Sequence, residues 1–578
     1  MQCLPFDISG KNRFDNYSSR CILPIYLLNF INISSERYCQ FEIHRMQHIF
    51  CFLAVFIFLN APLLFAPDLS ARPMADTTYS NHMQRSIIAS VPDQPAGSSA
   101  SSHGADPVSL AGFRMQMAGG YNGELPFWIH SNRHGELDPH SGNTALHLFG
   151  AWRRHYDSGI TLSTGANLML RGAEDASIRF QEAYVQMSYG DFVMWAGRKR
   201  EHFGTVHPRL SMGTADLSHN ARPIPKITLA TEGFRPFPGT RGIVDYNASF
   251  SHGWMRDNEH RYVENPMLHQ KHLYIRLFND RSRVVPQAGI KHFAQWGGSS
   301  PRDGDVPGGL RAFRDVVFSR SADSKEILSG GQLENRYQNH FGTYDFSLLF
   351  RFDDVHVSVS RQFILEDTPN ARFGTPWDGM WGVWLAFPSD DRFPGRTASD
   401  RPVFTIRAIN YEHINTIEGV DRYPHRDRSS YFNYYNHSRY RGGWTYEGRS
   451  LGNPLFFGDS GHVGVVNNLM LAHHAGIMGQ AGRVDWRAFA TYSRNYGAAG
   501  ITNLDGLQYT GVTDRQDQWS FMLEVSGELP AMMDLLPGDW PLSDRWDALE
   551  LTATMALDLG EAHRKNAGMM VGLRWMQW

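Results

Sequence analysis

Cysteine is confined to the start of this 578-residue chain, at Cys3, Cys21, Cys39 and Cys51. A disulfide framework or a cysteine zinc site is therefore excluded from everything that follows. Charge of one sign is lacking too. Lys and Arg number 55 against 58 Asp and Glu, a formal charge of −3 with no long basic run, so no nucleic-acid partner is expected. Neither a phosphate-binding glycine loop nor a metal-protease histidine spacing is present, and no cofactor is expected. Beyond residue 71 no apolar run reaches the ~20 residues of a spanning helix. The mean hydropathy of −0.39 suits a soluble protein. It equally suits a transmembrane β-barrel, in which only alternate residues of each strand face lipid.

The single long apolar stretch is "IFCFLAVFIFLNAPLLF", Ile49–Phe65, which follows His44, Arg45 and Met46 and precedes Pro67, Ser70 and Ala71. Basic flank, apolar centre and small-residue site make residues 46–71 a secretory signal peptide with cleavage after Ala71. A membrane anchor is the competing reading, but Asn60 and Pro62 interrupt the run. Residues 1–45 are then an upstream segment ahead of a true start at Met46. Residues 72–107, with "DQPAGSSASSHGADP", have the composition of a flexible leader. Residues 108–578 are even in composition, with no linker and no fixed-period repeat, and form one domain.

Within that domain the dominant period is two. In "LELTATMALDL", Leu549, Leu551, Ala553, Met555, Leu557 and Leu559 share one face, opposite Glu550, Thr552, Thr554 and Asp558. The same alternation runs through "WSFMLEVSGEL" (Trp519 to Leu529), "GITLSTGANLML" (Gly159 to Leu170) and, near the end, Met569, Val571, Leu573 and Trp575. Hairpins are legible as well. Phe346, Leu348, Phe350 and Phe352 precede an Asp353-Asp354 turn, and Val355, Val357 and Val359 continue the same face only if Phe352 pairs with Val355. Gly190-Asp191 is a second such turn. Strands of ~9–11 residues with alternating tight turns and long loops predict roughly 16 to 20 staves. The fold class expected is all-β, a transmembrane antiparallel barrel in which the C-terminal strand closes on the first. Trp575 and Trp578, three apart, cannot share its lipid face without a bulge.

Other segments do not follow the period: "HNARPIPKITLA" (His219 to Ala230), "HFAQWGG" (His292 to Gly298) and "RYRGGWTYEGRSLGNPLFF" (Arg439 to Phe457). With "GRKREHFG" (Gly197 to Gly204) and "SHGWMRDNEHRYVENPMLHQKHLYIRL" (Ser251 to Leu277), they resemble the capsule assembly protein Wzi family of Gram-negative outer-membrane barrels over most of residues 108–578. The resemblance implies a barrel of about 18 strands, a lumen partly filled by loops or short helices, and a non-enzymatic, lectin-like role. Such a protein holds capsular or exopolysaccharide at the cell surface and supports capsule assembly. Outer-membrane lipid and the barrel assembly machinery are its further partners. The rival from another class is a sugar-permeable pore, which needs an open channel.

Sugars offer apolar C–H faces and hydroxyl rings, which aromatic faces and planar polar groups match. "SSYFNYYNHSRYRGGWTYEGR" concentrates such side chains, and Tyr434, Tyr435, Arg441, Trp444, Tyr446 and Arg449 are the candidate polysaccharide contacts. The alternative for these six is an aromatic girdle or loop packing. Arg222, Pro223, Pro225 and Lys226 form a proline-stiffened turn expected in the lumen, and His292, Gln295 and Trp296 are expected to be lumenal and structural. "PGGLRAFRDVVFSR" places Leu310, Phe313, Val316 and Val317 at helical spacing, a short amphipathic plug or cap.

Three chemistries are set aside. "GDSG" around Ser460 matches a protease nucleophile segment, yet a triad is defined by geometry rather than four residues. Asp303 and Asp305 lack the spacing of a calcium loop. His260, His269, His272, His473 and His474 lack a metal spacing.

Overall fold

A computed structural model describes residues 108–577 apart from 203, 279–281, 303, 320–337, 367–372, 388–403, 419–432, 459–461, 504–507, 534–547 and 564. The start, signal peptide and leader read from residues 1–107, and Asp303, Ser460 and Trp578, lie outside the described residues.

Each alternating segment forms a stave. The first six are β1 (Val108–Gly120), β2 (Asn143–His155), β3 (Ile160–Gly172), β4 (Ser177–Tyr189), β5 (Phe192–Arg198) and β6 (Lys226–Thr231). The next six are β7 (Val244–Trp254), β8 (Met267–Leu277), β9 (Val284–Trp296), β10 (Asn339–Arg351), β11 (His356–Leu365) and β12 (Gly379–Ala386). The last are β13 (Phe404–Asn415), β14 (Met470–Ala481), β15 (Val484–Asn503), β16 (Gln508–Glu528), β17 (Leu549–Gly560) and β18 (Asn566–Gln577). Neighbours pair antiparallel throughout, and β18 pairs with β1 from Ala111↔Gln577 to Gly120↔Gly568, closing an 18-strand barrel among the described residues. Closure is what lipid demands, because each unpaired backbone group facing hydrocarbon costs several kcal/mol.

The expected registers hold. Phe352 N donates to Val355 O at 2.9 Å, and Tyr189 pairs with Phe192 across a turn whose Gly190 has a φ of 57°. The apolar sets of the alternating strands point outward: Met555 is 62% exposed, Met569 53% and Leu523 47%, the surface a lipid belt covers. The two ends differ. Tight turns at 156–159, 190–191, 352–355 and 482–483 share one end with the start of β1 and the end of β18, while connections 121–142, 199–225, 255–266 and 416–469 leave the other. In outer-membrane barrels the short-turn end is periplasmic and the long-loop end extracellular.

The long connections fold back inside. A single helical turn, α1 (Phe127–His130), buries Phe127, Trp128 and Ile129, and Phe127 N donates to Asp558 Oδ2 of β17 at 2.7 Å. Trp128 Nε1 reaches Thr491 Oγ1 of β15 at 3.1 Å. The backbone of 210–216 is held by the wall through Glu412 to Met212 N (2.7 Å) and Gln362 to Ala215 N (2.7 Å). At the centre, Lys291 of β9, 1% exposed, lies between Asp216 of the plug at 2.5 Å and Asp345 of β10 at 2.9 Å. Buried ions are stable only when paired and hydrogen-bonded, and Thr343 and Tyr274 supply the further bonds. Trp128, Leu210, Met212, Phe293, Phe341, Trp444 and Phe456 belong to one buried apolar cluster in this lumen.

Two expectations are corrected here. The helix α2 (Leu310–Val317) forms, but it neither plugs nor caps the lumen. It packs with Ala294 and Trp296 on the outer face of β9, where Phe313 sits 5.7 Å from the Trp296 ring and 5.6 Å from His252. The second concerns "HFAQWGG". Strand alternation sends Lys291, Phe293 and Gln295 inward to the plug and turns His292 and Trp296 outward, beneath α2, so of the three residues expected in the lumen only Gln295 faces it.

Candidate functional site

A small hairpin organises the loop end of the plug. Thr445 pairs with Ser450 and Tyr446 with Arg449, leaving Glu447 and Gly448 as a two-residue turn at φ 49° and 73°. Positive φ at both central positions is the type I′ geometry, which glycine adopts freely and glutamate only at a cost. That geometry sets the Glu447 carboxylate at the tip. Arg179 of β4 binds one oxygen at 3.0 Å and Arg222 the other at 2.6 Å. Burial alone would raise the Glu447 carboxyl, but Arg222 and Arg179 outweigh it and hold the group below the usual carboxylate range.

The rest of the hairpin is equally engaged. Tyr446 OH accepts from Arg198 at 3.2 and 3.3 Å, and Arg198 also donates to Pro223 O. Arg449, on the opposite arm, donates to Leu137 O at 2.5 Å and His130 O at 3.2 Å. Burial, then the nearby charges of Arg171 and Arg179, lower the Arg449 guanidinium to about 10. A second ionic node ties loop 121–142 to the wall: Glu136, 4% exposed, binds Arg114 at 2.6 Å and Arg200 at 2.5 Å. Burial would raise its carboxyl, yet Arg114 and Arg200 hold it far below the ordinary value.

The six residues expected to touch glycan lie inside this framework. Trp444, 1% exposed, donates from Nε1 to Asp216 O at 2.6 Å and stacks on Phe341 with centroids 5.4 Å apart. Tyr434 donates to Asp378 Oδ2 at 2.8 Å, and Tyr435 to Ala215 O while stacking on Phe456 at 3.9 Å. Tyr446 is buried, and Arg441 lies 4.7 Å from the centre of the Tyr262 ring. None of the four aromatic rings presents a face to solvent.

The proline turn meets the same hairpin. Arg222 joins Glu447, Pro223 O accepts from Arg198, and Pro225 O accepts from Trp254 N at 3.1 Å. Lys226 opens β6 and donates to Gln270 Oε1 at 2.7 Å while pairing with Glu201. Gln295 donates to Gly443 O at 3.0 Å, beside the hairpin. His292 and Trp296 take no part. Sequence reasoning missed Glu447, Arg171, Arg179 and Arg198. Arg179 and Glu447 are 268 positions apart, so no local pattern joins them, but Arg171 continues the inward face of Ser163 and Asn167 and was readable there.

A cavity of about 90 Å³ lies deeper, between loop residues Arg133, His202 and Arg209 and wall residues Arg487, Phe489 and Met522. Among the described residues no three His, Cys, Asp or Glu side chains are placed to hold a metal ion.

No protein-family model and no curated protein matches the chain. Solved structures do. Wzi from Escherichia coli, described as a carbohydrate-binding β-barrel of the outer membrane involved in group 1 capsule assembly, aligns at 14% identity with a TM-score of 0.50, over 80% of this chain and 84% of its own. OprD of Pseudomonas aeruginosa aligns at 9% identity and a TM-score of 0.39, over 82% of this chain and 95% of its own. OmpT of Vibrio cholerae, an outer-membrane protein with loop L8 deleted, aligns at 7% identity and a TM-score of 0.30, over 82% and 99%. The chain has the outer-membrane β-barrel fold of Wzi.

Proposed function

We propose that this barrel binds and retains a capsular or exopolysaccharide at its extracellular loop end, as a non-enzymatic protein supporting capsule assembly. The observation that carries the reading is the filled lumen. A solute pore needs a continuous water path, whereas here α1, the 206–216 segment and the 433–458 loop lie in the lumen and bond to the wall around it. A rigid plug tied to many staves is instead a platform on which loops are held still for binding. Tyr434, Tyr435, Arg441, Trp444, Tyr446 and Arg449 serve the glycan from beneath, by fixing the loop whose surface it meets. Export by the signal peptide and insertion by the barrel assembly machinery belong to the same proposal.

Purified protein in detergent should pull down polysaccharide extracted from its own cell surface. Trp444→Ala, which removes a buried indole worth about 3 kcal/mol or more, should weaken retention while the barrel remains heat-modifiable on gels. Polysaccharide that ignores the wild-type protein would contradict the proposal.

A further inference from the structure

The retention proposal leaves the recognised chemistry open, and the inference below rests on it. Five guanidinium groups converge at the loop end on the inner side of the wall: Arg171, Arg179, Arg198, Arg222 and Arg449. The carboxylate they share is Glu447, and Asp138 acts on Arg449 from farther away. Four of the five are held in place. Arg179 and Arg222 bind Glu447, Arg198 binds Tyr446 and Pro223, and Arg449 binds two backbone carbonyls. Arg171 stands differently: its Nε is buried with no hydrogen-bond partner, and it adds positive charge beside Arg179 and Arg449. The Nε atoms of Arg179 and Arg222 are also buried without partners.

Such a cluster does not balance by itself. Like charges gathered around the Glu447 carboxylate repel, and a second carboxylate bound among them would relieve that repulsion. Planar guanidinium groups match a planar carboxylate through paired N–H bonds, which is why arginine rather than lysine suits that partner. The site is not sealed, since the side chains of Glu447 and Arg179 keep 21% and 19% of their exposure. Arg171 and Arg179 point inward rather than to the lipid belt, so the anion would arrive from the loop-end solvent and not from a lipid headgroup.

We propose that the arginine cradle around the 445–450 hairpin binds the carboxylate of an acidic sugar, so that the retained polysaccharide is a uronic-acid polymer, with the terminal nitrogens of Arg171 as donors beside the charges of Arg179 and Arg222.

The probe is oligogalacturonate, compared by calorimetry with the same oligomer after its carboxyls are reduced, using the full-length protein in detergent. The acidic form binds, and the reduced form binds at least about tenfold more weakly, as the loss of a charge-assisted hydrogen bond predicts. Arg171→Gln loses about tenfold for the acidic form with unchanged heat-modifiability, since Arg171 holds nothing in place, and Arg171→Lys, which keeps charge without the fork, falls between. Equal binding of acidic and reduced oligomers, or an Arg171→Gln variant as tight as wild type, overturns the cradle. The two proposals fail separately. Cell-surface polysaccharide bound regardless of its carboxyls refutes the cradle alone, whereas oligogalacturonate bound in an Arg171-dependent way supports it even if cell-surface polysaccharide does not bind.

Discussion

At the scale of single residues, buried charges that are stable only in pairs tie the plug to the wall. Glu136 lies almost wholly out of solvent between Arg114 and Arg200. Glu136→Gln would leave Arg114 without its counter-charge and Arg200 with Glu182 alone, at a cost of about 3 kcal/mol. Its folded carboxyl is depressed below the ordinary value of 4.5, so the stability it contributes is fully present above that value and is lost as the pH falls below it. Tryptophan fluorescence melts of the wild type should therefore be level near neutral pH and drop in temperature below about pH 4.5. Glu136→Gln should start lower and lose part of that acid-side drop. A variant melting with the wild type at every pH would remove the node from the account.

Among elements, the 445–450 hairpin shows how one turn places a site. Gly448 has a φ of 73°, while a Cβ there would meet its nearest neighbour, His260 Nδ1, only at 3.5 Å, so space is adequate and the backbone alone resists a side chain. Gly448→Val should thus cost about 1–2 kcal/mol and displace Glu447 from Arg179 and Arg222. Limited proteolysis that cuts the 433–458 loop faster in the variant would register this, and identical cleavage would refute it. The elements also show what a sequence can disclose. Outer strand faces were legible because lipid imposes a strict period of two: Leu549 to Leu559 and Met569 to Trp575 needed no partner to be recognised. Asp353-Asp354 and Gly190-Asp191 were legible because a tight turn fixes register locally. The plug was not. Trp444 meets Asp216 across 228 positions, and Glu447 meets Arg179 across 268. The face of "HFAQWGG" was misjudged at His292 and Trp296 because aromatic residues alternate on both sides of β9, and only α2 reveals which side it covers.

For the whole molecule, closure and filling are separate achievements. The β18–β1 seam satisfies the last backbone edge, which makes a cylinder, and α1, 206–216 and 433–458 bond to the wall within its lumen. The proposed retention of a polymer at the loop end rests on the second feature, as passage through the lumen would rest on its absence. Current through planar bilayers containing the purified full-length protein tests this most directly. The account predicts no steady channel current above the bare membrane. Stable, porin-sized conductance steps from the intact wild-type protein would contradict it.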